Sequence, residues 1–115
     1  MKDKVYKNIE GKIKSVLLIT DGWLVGKAAK NIIDDEEVND YDIIVPSREN
    51  FQNITHILSK LYTLKINSYG GFKIISDTFT LDIWCEELSH FIRNANEVSF
   101  VYNYKGNVLL RNEVK

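Results

Sequence analysis

The sequence predicts an α/β fold of the α+β kind, a mixed β-sheet packed by helices. Three observations carry this. Short apolar, β-branched runs alternate with helical periodicity, as where 41–45 is followed by Phe51, Ile54, Ile57, Leu58 and Leu61. Several strand-length runs then crowd the second half between glycine and aspartate turns, unlike a regular doubly wound parallel sheet. Finally, 115 residues with 44% apolar content suffice for one domain, 1–115, with a single core.

Along the chain, Val5, Ile9 and Ile13 lie four apart and predict a short helix over 5–13, weakened by Gly11. The continuous run VLLIT at 16–20, broken by Asp21-Gly22, predicts a buried strand. From Trp23 to Ile33 the pattern is helical, with Leu24, Ala28 and Ile32 aligned. An acidic loop follows at 34–37. The run at 41–45 predicts a strand stopped by Pro46, which cannot donate to a ladder. Ser47 is the expected N-cap of a helix reaching about Leu61, with Asn50 at the third helical position. Strands are expected at 64–67, 72–76 and 79–85, with turns at Gly70-Gly71 and Asp77-Thr78. A short helix at 86–93 and a hairpin of 99–104 with 107–111 around Lys105-Gly106 complete the order.

Composition excludes several function classes. The net charge of -1 gives no general attraction to nucleic acid or anionic membrane. The single cysteine, Cys85, excludes an internal disulfide framework and suits a reducing compartment. No apolar run approaches the ~20 residues that span a membrane, and the charged N-terminus lacks a signal-peptide core. The expected location is cytoplasmic. Walker A, serine-nucleophile and paired-cysteine motifs are absent.

Chemistry concentrates in three aspartates. Asp40 and Asp42 stand two apart at the start of a strand, so both side chains point to one face, ~7 Å apart at Cβ. Two like charges on one face repel and call for compensation. A divalent cation supplies it, and carboxylate oxygens alone suit Mg²⁺ or Mn²⁺ rather than zinc. Asp82 lies inside the apolar strand FTLDIWC, where an unpaired carboxylate is costly. If its strand neighbours the first, the three acids converge into a site for in-line phosphoryl or nucleotidyl transfer. Ordinary turn chemistry at Asn39-Asp40 and a solvent-facing Asp82 explain the same residues without a metal.

The stretch LLITDGWLVGKAAKNI, then NDYDIIVP and later TLDIW, resembles the polymerase-β-like nucleotidyltransferase superfamily. That superfamily has a strand, a Gly-Gly or Gly-Ser turn, a helix, a strand with paired acids, and a third acid on a later strand. The Gly-Gly-x-Val-Arg-Asp variant of tRNA nucleotidyltransferases is nearest in texture. The resemblance covers about Val16 to Trp84 and implies a minimal, single-domain member. It implies Asp40, Asp42 and Asp82 as metal-binding catalytic residues, with Asp82 also activating an acceptor hydroxyl. It implies Asp21, Gly22 and Lys27 as the nucleotide-binding turn and helix start, where a glycine admits the phosphates and helix amides bind them. Two departures accompany it: Asp21 replaces the first glycine, and Val25-Gly26 fall where the variant carries its arginine and aspartate.

The implied activity is transfer of a nucleoside monophosphate from a nucleoside triphosphate to an acceptor, with Mg²⁺ or Mn²⁺. A degenerate binding or regulatory module of the same fold is the first alternative, with a protein partner or a second copy as its ligand. Phe100, Tyr102 and Tyr104 would supply its surface, although core packing accounts for them equally. A metal-dependent nuclease is the second. Nucleic acid as acceptor draws no support from the charge. Trp84 shares the Asp82 face and suits base stacking or core packing. Lys30, His56, His90 and Cys85 read as structural or solvated positions.

Overall fold

A computed structural model describes residues 9–33, 36–68, 70–94, 100–103 and 108–110. The elements run α1 (Gly11–Thr20), β1 (Trp23–Val25), α2 (Gly26–Ile33), β2 (Asp40–Val45), α3 (Arg48–Ser59), β3 (Lys65–Ile66), β4 (Phe72–Ile75), β5 (Thr80–Cys85), α4 (Leu88–Asn94), β6 (Phe100–Asn103) and β7 (Val108–Leu110). The strands form one mixed sheet in the order β3-β4-β5-β2-β1-β6-β7. β2 and β5 pair in parallel at its centre, and the other pairings are antiparallel.

The fold class agrees with the expectation, but one element does not. The run at 16–20 is the end of helix α1, not a strand. Its buried residues, Ile13, Val16, Leu17 and Thr20, recur at helical spacing and face the sheet, whereas Leu18 and Ile19 stay exposed. Asp21 caps α1 in the left-handed conformation, φ 52°, and its N–H donates to the Leu17 carbonyl. The strand lies at Trp23–Val25, inside the stretch expected to be helical, and α2 starts at Gly26. Of the expected helix over 5–13, residues 5–8 lie outside the described residues, Ile9 and Glu10 precede the helix with Glu10 as its N-cap, and 11–13 form the first turn of α1. The hairpin tip at Lys105-Gly106 lies outside the described residues.

Alternation along the central strands creates two faces. Tyr41, Ile43 and Val45 of β2, with Leu81 and Ile83 of β5, join one core beneath α1, α2 and α3. α3 is held at its start by the Ser47 hydroxyl, which accepts from the Asn50 N–H at 3.1 Å. The Asn50 side-chain amide in turn donates to the Thr20 carbonyl at 3.1 Å and ties α3 to the end of α1. Beneath the core, the Tyr41 hydroxyl accepts from the Glu10 N–H at 2.9 Å and donates to the Val38 carbonyl at 3.1 Å. Tyr41→Phe removes both bonds at a buried point and should cost about 1–3 kcal/mol, read as a lower urea midpoint at unchanged slope.

The second face carries a smaller apolar cluster: Val25, Ile44 and Trp84, flanked by Trp23, Leu88 and Phe91. Leu88 and Phe91 of α4 pack at that end. The other end of this face, where β2 and β5 begin, carries the carboxylates. No helix among the described residues is long and apolar enough to cross a membrane.

Candidate active site

Asp42 and Asp82 are brought side by side by parallel register. β2 and β5 align Asp40 with Thr80, Asp42 with Asp82 and Ile44 with Trp84. Directly paired residues share a face, and neighbouring strands lie ~4.8 Å apart. Asp40 shares that face one pleat earlier, at an exposed position.

The electrostatics follow from this crowding. Burial pushes the Asp42 carboxyl up to about 6, and the negative charges of Asp82 and then Asp40 push the same way, while Lys73 opposes them. Asp82 is held by two partners from the neighbouring hairpin. The Lys73 ammonium lies 3.6 Å from its Oδ2, and the Asn67 side-chain amide donates to its Oδ1 at 3.3 Å.

The turn between β1 and α2 closes over Asp42. Val25 pairs directly with Asp42, and Gly26 follows with φ +68°. A Cβ on Gly26 would lie 3.1 Å from Asp42 Oδ2, so the bare backbone leaves room for the carboxylate in a conformation that glycine adopts without strain. Lys27 comes next, exposed, at the start of α2. Amides of a first helical turn have no partner within the helix.

Asp21 and Gly22 stand elsewhere. They end α1 and precede β1, whose first residue, Trp23, pairs with Ile44. Three residues of strand, ~10 Å, separate them from the Asp42 end. Of the residues singled out in the sequence, the structure therefore gathers Asp42 and Asp82 with Asp40 at their margin, sets Lys27 at the helix that adjoins them, and leaves Asp21 and Gly22 at the far end of β1. Trp84 is core: it packs against Phe91 and its indole donates to Glu86 at 2.9 Å.

Gly26, Asn67 and Lys73 are additions that sequence reasoning missed. Gly26 carries a signal, since a glycine after a short apolar run and before a helical pattern marks such a turn. Lys73 alternates with the core residues Phe72 and Ile74, which gives its face, but nothing in the chain announces Asp82 as its neighbour.

The donor set fits a hard divalent cation in part. Two carboxylates lie together, and a cation would relieve the repulsion that adds to burial in raising Asp42. Among the described residues, however, no three acidic, histidine or cysteine side chains converge into a ready-made cage.

A comparison with solved structures decides the fold. The chain superposes on a CCA-adding enzyme from Thermotoga maritima, solved in complex with tRNA-CCA, with a TM-score of 0.65 over 89% of its length at 11% identity. The chain has the nucleotidyltransferase fold. It corresponds to 28% of the length of that enzyme. No protein-family model matches the chain, and no curated protein matches it in sequence.

Proposed function

We propose that this domain binds a nucleoside triphosphate with Mg²⁺ or Mn²⁺ and transfers its nucleoside monophosphate to an acceptor hydroxyl. The observation that carries this reading is the parallel pairing of Asp42 with Asp82 beside the glycine turn that opens α2. The turn also mends the sequence resemblance. Counted from Gly26, the residues Gly-Lys-Ala-Ala-Lys-Asn stand against Gly-Gly-x-Val-Arg-Asp, with Lys30 in the arginine position and Asn31 in the aspartate position. This frame is more favourable than one starting at Asp21, because it sets no acid among the phosphates.

In this reading Asp42 and Asp82 hold the cation, and Asp40 joins them by a side-chain rotation. The bound cation would supply positive charge to the triphosphate. Gly26 lets the phosphates approach the backbone, and the start of α2 with Lys27 offers amides and charge. Asp82 accepts the proton of the acceptor hydroxyl as its oxygen bonds to the α-phosphorus and the bond to pyrophosphate breaks. The acceptor and any tRNA connection belong to this proposal alone, since the chain matches only a fraction of the CCA-adding enzyme.

Calorimetric titration tests it. A non-hydrolysable triphosphate should bind in the presence of Mn²⁺ and give no heat without it. Silence in both conditions from a folded protein would reject the enzyme. It would favour the binding-module reading, for which the helical face offers a hollow of about 420 Å³ edged by Ile19, Ile57 and Leu61.

A further inference from the structure

One row of side chains crosses the face of the sheet opposite the main core. Lys65 of β3 pairs with Lys73 of β4, Lys73 with Asp82 of β5, Asp82 with Asp42 of β2, and Asp42 with Val25 of β1. Directly paired residues share a face, so two cations, two anions and the glycine turn follow one another in line. Lys65 and Lys73 are like charges placed directly opposite each other, which is unfavourable unless an anion lies between or above them. Asp82 serves Lys73 in that role at 3.6 Å. Lys65 is exposed, with no ion pair among the described residues. Asn67, two residues on from Lys65, already directs its amide to the same carboxylate.

With Asp82 unengaged, Lys73 neutralises it. A divalent cation on the carboxylate pair would displace the weaker ammonium contact, and Lys73 would then stand beside Lys65 as an uncompensated dication. The lysines lie on the side of Asp82 remote from Gly26, three and four strand spacings from the turn, or ~14 and ~19 Å. They thus flank Asp82 on the side away from the glycine turn, next to the carboxylate that faces the acceptor in the reading above.

We propose that Lys65 and Lys73 form an anion subsite beside Asp82 that takes the phosphate of a phosphorylated acceptor, and that a divalent cation on the carboxylates switches it on by releasing Lys73. This rests on the nucleotidyltransferase reading given above, and it adds the acceptor's chemical class and an order of binding.

The test measures binding, not turnover. Mn²⁺ uptake is titrated directly, and the affinities of a fluorescein-labelled short RNA, glucose 6-phosphate and glucose are measured with and without Mn²⁺. For the intact protein, Mn²⁺ should tighten binding of a phosphate-bearing probe at least about fivefold, a typical coupling between linked sites, and should leave glucose unbound. RNA as the better probe identifies a strand end as acceptor, and glucose 6-phosphate identifies a phosphosugar. Lys73→Met should bind Mn²⁺ more tightly and lose the coupling. Lys65→Met should weaken the phosphate probe, and Lys65→Arg should restore it. Mn²⁺ uptake without any effect on probe affinity, or probe binding indifferent to both lysines, overturns the subsite and leaves the metal site standing. No Mn²⁺ uptake by the intact protein overturns both.

Discussion

Asp42→Asn should make the protein more stable and at the same time blind to metal-dependent nucleotide. The first half follows from crowding. The Asp42 carboxyl is raised from 3.8 to about 6 by burial, then by Asp82 and Asp40. Two units correspond to at most about 3 kcal/mol, and solvent screening of this partly exposed group reduces that to about 1–2 kcal/mol. The sign is fixed by linkage. Between the unfolded and folded values the native state holds more protons, so the intact protein loses stability as pH rises from about 4 to 6. Asparagine removes that slope. Urea denaturation without divalent ions should show equal stabilities near pH 4 and a widening advantage for the variant towards pH 7. With Mn²⁺ and a non-hydrolysable triphosphate at about a hundred times the dissociation constant, the intact protein should gain about 2.7 kcal/mol and the variant nothing. A variant that is less stable at pH 7, or one still stabilised by nucleotide, would contradict the proposed role of Asp42.

Gly71→Ala adds a single methyl group and should still cause a large loss of stability. A Cβ at Gly71 would lie 1.9 Å from the Ile83 carbonyl oxygen and within 2.8 Å of both Cα and Cβ of Trp84. These are mostly main-chain atoms of β5, with no rotamer by which to retreat. The hairpin must pull away from β5, and the pairing of Phe72 with Ile83 goes with it. The same movement breaks the bond between the Gly71 N–H and Asn67 Oδ1, and so disturbs the amide that holds Asp82. The cost should be about 3 kcal/mol or more, at the upper end for overpacking. For a domain of this size that is a fall in Tm of roughly 10 °C or more. A scanning-calorimetry Tm within about 2 °C of the parent would show that the two strands do not approach so closely.

Legibility in the sequence divides along the range of the signal. Local chemistry was readable: the Ser47 cap of α3, the stop at Pro46 and the glycine turn before β4 all lie where their residues place them. The run at 16–20 was not, because four consecutive apolar residues followed by a threonine look alike in a buried strand and at a helix end. A wider window holds the answer. Ile9, Ile13, Val16, Leu17 and Thr20 are buried at helical spacing, whereas Leu18 and Ile19 remain 57% and 51% exposed. With that run placed in α1, the order strand, glycine turn, helix falls on β1, Gly26 and α2, while Asp21-Gly22 end α1 at the opposite end of β1. The shared face of Asp40 and Asp42 was legible from strand geometry alone. Their meeting with Asp82, and the attachment of Lys73 and Asn67 to it, depended on which strands are neighbours and in what register, and no local pattern encodes that.

The parallel pairing of β2 with β5 also bears on how the chain reaches its native state. Asp42 and Asp82 are about 40 residues apart, and no hairpin can join parallel strands, so the segment holding α3, β3 and β4 must close as a loop first. Such non-local closure is slow compared with helix or hairpin formation. It is also the step at which the two carboxylates first meet, so their repulsion opposes that closure and is absent from the unfolded chain. A divalent cation held by the pair should therefore speed refolding to the extent that the pair is already formed at the transition state, and slow unfolding to the extent that it is not.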